Sequence, residues 1–245
     1  MAVWCRCLCT LLFVALLCTG STACGGRQDS GDSSWRQEVD ASLSSWEDAS
    51  SFRYRVHLET WIGVSGQSVY GDEKGEGSYL DGQFSVSFVR TSPAGEENIV
   101  FTSQAGGYFL QEGGSWKSIT ALEVPSPLYD PRALSALVSS YGSITLEGEE
   151  EVSGAVCRRY LLQLGQEKAS EALSDRAWSY FSSLDYELNC RVWVSDPAAP
   201  PCSISLEVIG FDPQESLQRY RLVATMGPYD LDAPGILLAA PGQEQ

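Results

Sequence analysis

The apolar positions of this chain follow two periods in turn. Trp35, Val39, Leu43 and Trp46 recur at helical spacing, and Ser34 with Gln37 supplies a capping box just ahead of them. From Phe52 the period becomes two: Phe52, Tyr54, Val56, Leu58 and Ile62 share one face, while Arg53, Arg55, His57 and Glu59 share the other. An amphipathic helix followed by a strand with one buried face is predicted.

A weaker strand over 69–79 carries Gly71, Gly75 and Gly77, where a bulge or a close backbone approach is expected. Phe84, Val86 and Phe88 mark another strand, 98–102 a fourth, and 108–111 a fifth that turns at Gly113-Gly114 into 116–119. Short strands in succession predict an antiparallel meander. Asp130-Pro131 then reads as a helix start, with Asp as cap and Pro in the first turn. Leu134, Leu137, Val138 and Tyr141 form that helix's stripe. Strands follow over 144–152 and 156–164 around a turn at Ser153-Gly154. A third helix is expected over 167–184, and further strands over 188–194, 203–209 and 218–224. About ten strands and three helices make an α+β domain, a large curved antiparallel sheet covered by its helices, spanning 35–245 without an internal repeat.

The N-terminus has a different logic. An apolar run from Leu11 to Leu17 precedes small residues Gly20 to Ala23, the order of parts of a signal peptide, and the run is too short to span a bilayer comfortably. Ser21-Thr22-Ala23-Cys24, followed by Gly25-Gly26, resembles the lipobox of bacterial lipoproteins, with Ser21 where Leu is commoner. The resemblance implies removal of 1–23, lipid on Cys24, and attachment to a membrane through that lipid. Two or more acyl chains anchor stably where one does not. Residues 24–34, small and polar after the cysteine, read as a flexible tether. Cys5, Cys7 and Cys9 lie in the removed segment, so their spacing carries no metal reading.

Charge and composition narrow the function. The net charge is −16, and because residues 1–23 hold one Arg and no acid, the mature part stands at −17. Such a chain repels phosphate backbones, which argues against nucleic acid as a partner. Apolar residues at 43% and aromatics at 11% suffice for a real core, unlike an acidic disordered tail. Outside the cytoplasm thiols oxidise, so one disulfide among Cys157, Cys190 and Cys202 is expected, the pair being open.

The supply of reactive groups is thin. His57 is the sole histidine and falls on the polar face of its strand, as a solvated or edge histidine does. No Gly-x-Ser-x-Gly elbow, phosphate loop or His-Glu-x-x-His pattern occurs. The acids of Glu147-Gly-Glu-Glu-Glu151 lack calcium-loop spacing and read as a solvated hairpin end, as do Asp72, Glu73 and Glu76. The expectation is a protein without catalytic residues, cofactor or metal. Trp35 and Trp46 belong to a core stripe, whereas Trp61 and Trp193 are out of phase with their strands' apolar faces and suit a rim or partner surface.

The order of parts across most of 35–240 resembles the lipoprotein-carrier superfamily, the half-barrels of LolA, LolB and the LppX/LprG lipoproteins. The resemblance is carried by Phe52-Arg-Tyr-Arg-Val, the hairpin Tyr108-Phe-Leu-Gln-Glu-Gly-Gly-Ser-Trp116, Val152-Ser-Gly-Ala-Val-Cys-Arg-Arg-Tyr160, Arg191-Val-Trp-Val-Ser-Asp196, and Tyr229-Asp-Leu-Asp with Pro241. It implies a pocket for a lipid, glycolipid or other apolar ligand on the concave face, with Tyr54, Val56, Leu58, Phe84, Val86, Phe88 and Tyr160 as candidate lining. The alternative is that these seven fill one another's space in a packed core, and that the domain is a protein-interaction or sensory module of the envelope.

Overall fold

In a computed structural model the described residues are 30–64, 67–124, 126–165, 185–211, 218–239 and 241. The leader, Cys24 and the expected third helix at 167–184 lie outside them. Residues 35–245 form one compact unit.

Two α-helices and eleven strands fall among the described residues. Helix α1 (Ser30–Asp48) precedes strands β1 (Ser51–Val64), β2 (Gln67–Leu80), β3 (Gln83–Ser92), β4 (Gly95–Gln104), β5 (Gly107–Glu112) and β6 (Ser115–Ile119). Helix α2 (Pro131–Ser139) leads into β7 (Ser143–Val152), β8 (Ala155–Gln163), β9 (Asp185–Val194), β10 (Ser203–Phe211) and β11 (Gln218–Tyr229). All eleven strands join one open antiparallel sheet in the order β6-β5-β4-β3-β2-β1-β11-β10-β9-β8-β7. Two meanders are thus stitched together by the first and last strands, with Val56 paired to Met226 and Leu58 to Ala224. The architecture is α+β and unclosed.

One face of the sheet is apolar on nearly every strand. A single buried cluster runs from Ile119 and Leu110 through Phe101, Val86, Val56, Met226, Leu206 and Val192 to Leu162 and Ile144. Val39, Leu43 and Trp46 of α1 and Leu134, Leu137 and Val138 of α2 belong to it, so both helices cover this inner face. Each large side chain so buried contributes about 1.5–3 kcal/mol.

Polar groups position the lid. Arg132 donates to the carbonyls of Trp46, at 2.7 Å, and Ala49, satisfying the end of α1 while its guanidinium lies 4.4 Å from the Tyr79 ring centre. Glu47 accepts from Ser135 and Ser139 of α2. Ser42 donates to the Ala199 carbonyl at 2.8 Å, tying α1 to the β9–β10 connection. Asp130 caps α2 as its sequence predicts, accepting from the N–H groups of Arg132 and Ala133.

Ser34 does not cap α1. The helix begins at Ser30, with Asp32 in its first turn where the helix dipole favours an anion. A polar turn offers no apolar period, so the pattern that locates a helix is blind to it.

Candidate functional site

The expected lining residues stand in rows on the inner face. Tyr54, Val56 and Leu58 of β1 lie across β2 from Val86, Phe88 and Arg90 of β3, with Gly77, Gly75 and Glu73 between them. The glycines are required for close approach, as the pattern on β2 suggests. A Cβ on Gly77 would sit 2.2 Å from Tyr54 Cζ, and one on Gly75 would sit 2.0 Å from the Ser87 carbonyl oxygen. Ring and strand therefore occupy the space that side chains on β2 would need.

That trough is filled. The Tyr129 ring stacks on Phe88 with centroids 4.7 Å apart, the Tyr54 hydroxyl donates to the Tyr129 carbonyl at 3.0 Å, and Phe84 meets Phe101 edge-on. All seven candidates are buried in one cluster. Six gather around β2, while Tyr160 lies on β8 in the same row, through Val192, Ile204 and Met226 to Val56. Tyr160 also stands beside a charged pair missed by an apolar reading. Burial pushes its phenol up to about 12, helped by Glu38 of α1, which pairs with Arg158 at 2.9 Å.

A cleft lies at the β1–β3 end of the row. Thr60, Ile62, Val69, Gly71, Glu73 and Arg90 line a cleft of about 260 Å³, and Val69 is 55% exposed on it. A charged pair forms part of the wall: Arg90 Nε donates to Glu73 Oε1 at 2.6 Å, and the Tyr129 hydroxyl donates to Glu73 Oε2. Burial raises the Glu73 pKa against the lowering effect of Arg90. This corrects the reading of Glu73 as a solvated acid. Because β1, β2 and β3 are in register, Glu73 falls opposite Leu58 on the inner face.

The outer face holds a larger cleft, of about 760 Å³, against the tip of the β7–β8 hairpin. Its walls include Arg55, His57, Lys74, Val152, Cys202 and Tyr229. His57 lies on the polar face, as predicted, but is only part-exposed and donates from Nε2 to Asp72 Oδ1 at 2.6 Å. Asp72 is likewise no solvated acid. Burial works against its charge, yet hydrogen bonds from Lys74 and His57 hold its carboxyl below the usual range. Farther along this face Glu150, Arg159, Glu147, Arg191, Glu207 and Arg221 form a chain of ion pairs across β7 to β11. Trp61 and Trp193 are both half-buried on the outer face.

The three cysteines are thiols in this structure, so the expected disulfide is not formed. Cys157 and Cys202 nevertheless have their sulfurs 2.9 Å apart, whereas Cys190 is buried in the core cluster. Strand pairing through β9 brings the first two together, which no spacing in the sequence reveals.

An open antiparallel sheet with helices over its apolar face is a fold that this chain shares with two solved mycobacterial proteins. The chain is similar to the lipoprotein LppX of Mycobacterium tuberculosis, at 14% identity over 83% of this chain and 97% of that one, with a TM-score of 0.50. It is also similar to LprF from Mycobacterium bovis, at 13% identity over 86% and 98%, with a TM-score of 0.53. No family model matches the sequence, and no curated protein matches it.

Proposed function

We propose that the chain is an extracytoplasmic bacterial lipoprotein that binds a lipid, glycolipid or other apolar molecule on its inner face and carries or presents it in the cell envelope. In this reading residues 1–23 are removed, Cys24 carries the lipid anchor, 24–34, whose last residues from Ser30 already belong to α1, tether it, and 35–245 are the binding domain. The observation that carries it is the inner apolar row with the cleft of Ile62, Val69 and Arg90 at its end. An acyl chain follows the row, and Tyr54, Val56, Leu58, Phe84, Val86, Phe88 and Tyr160 line its path once Tyr129 gives way. The cleft is slightly smaller than the roughly 300–1,000 Å³ usual for ligand pockets, so occupancy requires that movement. The fold shared with LppX and LprF supports the proposal.

Native mass spectrometry of the chain lacking residues 1–24, purified from a bacterial host without detergent, tests it. A discrete added mass that organic solvent removes is expected. The bare polypeptide mass after incubation with lipid vesicles would sink the carrier reading. It would favour an interaction or sensory module instead, a reading supported by the stacking of Tyr129 on Phe88 in the middle of the row.

A further inference from the structure

His57 and Glu59 stand two residues apart on β1, and Asp72 lies directly opposite Glu59 on β2. Strand geometry sends all three side chains to the outer face. His57 Nε2 is 2.6 Å from Asp72 Oδ1 and 3.6 Å from Glu59 Oε1, and the three donor atoms all lie within 4.8 Å of one another. Each residue is part-buried, so its position is held while solvent still reaches it.

We propose that His57, Glu59 and Asp72 form a binding site for one divalent transition cation of the zinc type, with one imidazole nitrogen and two carboxylate oxygens as ligands.

A simple ion pair explains only part of this arrangement. The single Nε2–H serves Asp72, which leaves Glu59 beside a like charge directly across the strand pair, a placement that costs stability. Its other polar neighbours are the Tyr70 hydroxyl, a long 3.5 Å away, and the Lys74 ammonium, whose closest partner is Asp72. A dication between the carboxylates turns that repulsion into attraction and balances their two charges. Ligands about 2.0–2.2 Å from a tetrahedral ion sit roughly 3.3–3.5 Å from one another, and the observed separations bracket that spacing. Coordination uses the Nε2 lone pair, with the ring proton on Nδ1.

The donor set selects the ion. Calcium wants six to eight oxygens, whereas imidazole with carboxylates suits zinc and its neighbours. Outer partners are also in place, because Lys74 Nζ holds Asp72 Oδ2 at 2.9 Å and leaves Oδ1 to face the imidazole. Three protein ligands leave a fourth position open. His57 also lines the 760 Å³ outer cleft, which gives that position access to water or to a donor group of a docked molecule.

The test uses the untagged mature chain from Cys24 in detergent, stripped with chelator and titrated with zinc by calorimetry and with cobalt by visible absorption. One ion per chain is expected, with the cobalt spectrum of a four-coordinate nitrogen and oxygen site. D72N and H57Q are each expected to weaken binding about tenfold or more. Because His57 is the sole histidine, its imidazole NMR resonances report on the site in the unmutated protein, whether or not the variants fold. Zinc must shift them in step with the calorimetric binding. Absence of saturable binding, or binding that leaves the His57 resonances unmoved, overturns the proposal.

Discussion

Cys157 of β8 and Cys202, just ahead of β10, hold their sulfurs 2.9 Å apart on the outer side of the sheet. Burial, with Cys202 beside it, pushes the Cys157 thiol up, and Cys190 is raised by burial alone against the weak opposing field of Arg191. A thiol that resists ionisation is a poor nucleophile. Cys202, the one partly exposed, is therefore the first to meet an oxidant.

Oxidised glutathione, itself reduced to thiols in the exchange, is expected to close a Cys157–Cys202 disulfide and leave Cys190 free. The bridge spans 45 positions and adds about 4 kcal/mol in the chain-entropy model. Peptide mapping after oxidation should find the 157–202 crosslink, and C202S should lose the oxidative gain in thermal stability. A crosslink through Cys190 would show that the core opens.

Arg132 closes the end of α1 and lies on Tyr79. Arg132→Met retains much of the packing but leaves the carbonyls of Trp46 and Ala49 without that donor. A loss of about 2 kcal/mol is expected in urea unfolding, with an unchanged slope.

Gly77→Ala places a methyl group against the Tyr54 ring, and relief requires the ring to leave its hydrogen bond with Tyr129. The expected cost is about 1–3 kcal/mol. If the ring instead swings aside freely, stability is unchanged and the inner row is looser than its packing indicates.

Asp232 fastens the chain after β11 to the start of β1, accepting from the Ser50 hydroxyl, the Ser51 N–H and the Ser50 N–H. These bonds hold its carboxyl below the usual range, the Ser50 hydroxyl foremost. A depressed folded-state pKa contributes stability that is present above the unfolded value and is lost as pH falls through the folded one. Glu73 has the opposite sign: its raised pKa, caused by burial, costs stability above the unfolded value, and the cost is relieved as acid protonates it. D232N should flatten the loss of stability below the ordinary carboxylate range in acid melts. An unchanged acid limb would show that Asp232 carries none of it.

The carrier reading makes a demand on the rim. Val69→Asp puts a charge at an exposed position of the inner cleft, so folding should be nearly unaffected while retention of lipid falls several-fold. Unchanged retention would move the route for acyl chains away from β1–β3.

Much of the fold was legible in residue order. Alternation on Phe52 to Leu58, Phe84 to Phe88 and Ser203 to Ile209 states which side of a strand is buried, because strand side chains alternate faces whatever the strand pairs with. Asp130-Pro131 announces α2, and helical spacing puts Trp46 in the core, since capping and helix faces are local properties. Gly75 and Gly77 signalled close approach, though not that Phe88 and Tyr54 would be what approached.

Pairing across the chain is another matter. That β11 pairs with β1, that Glu73 faces inward opposite Leu58, that Asp72 stands against Glu59 and His57, and that Cys157 meets Cys202 all depend on registers between distant segments. Local pattern sets the face on which a side chain stands. Its neighbours there are chosen only when the sheet assembles, because burying the whole apolar face at once selects a register that no single strand can specify.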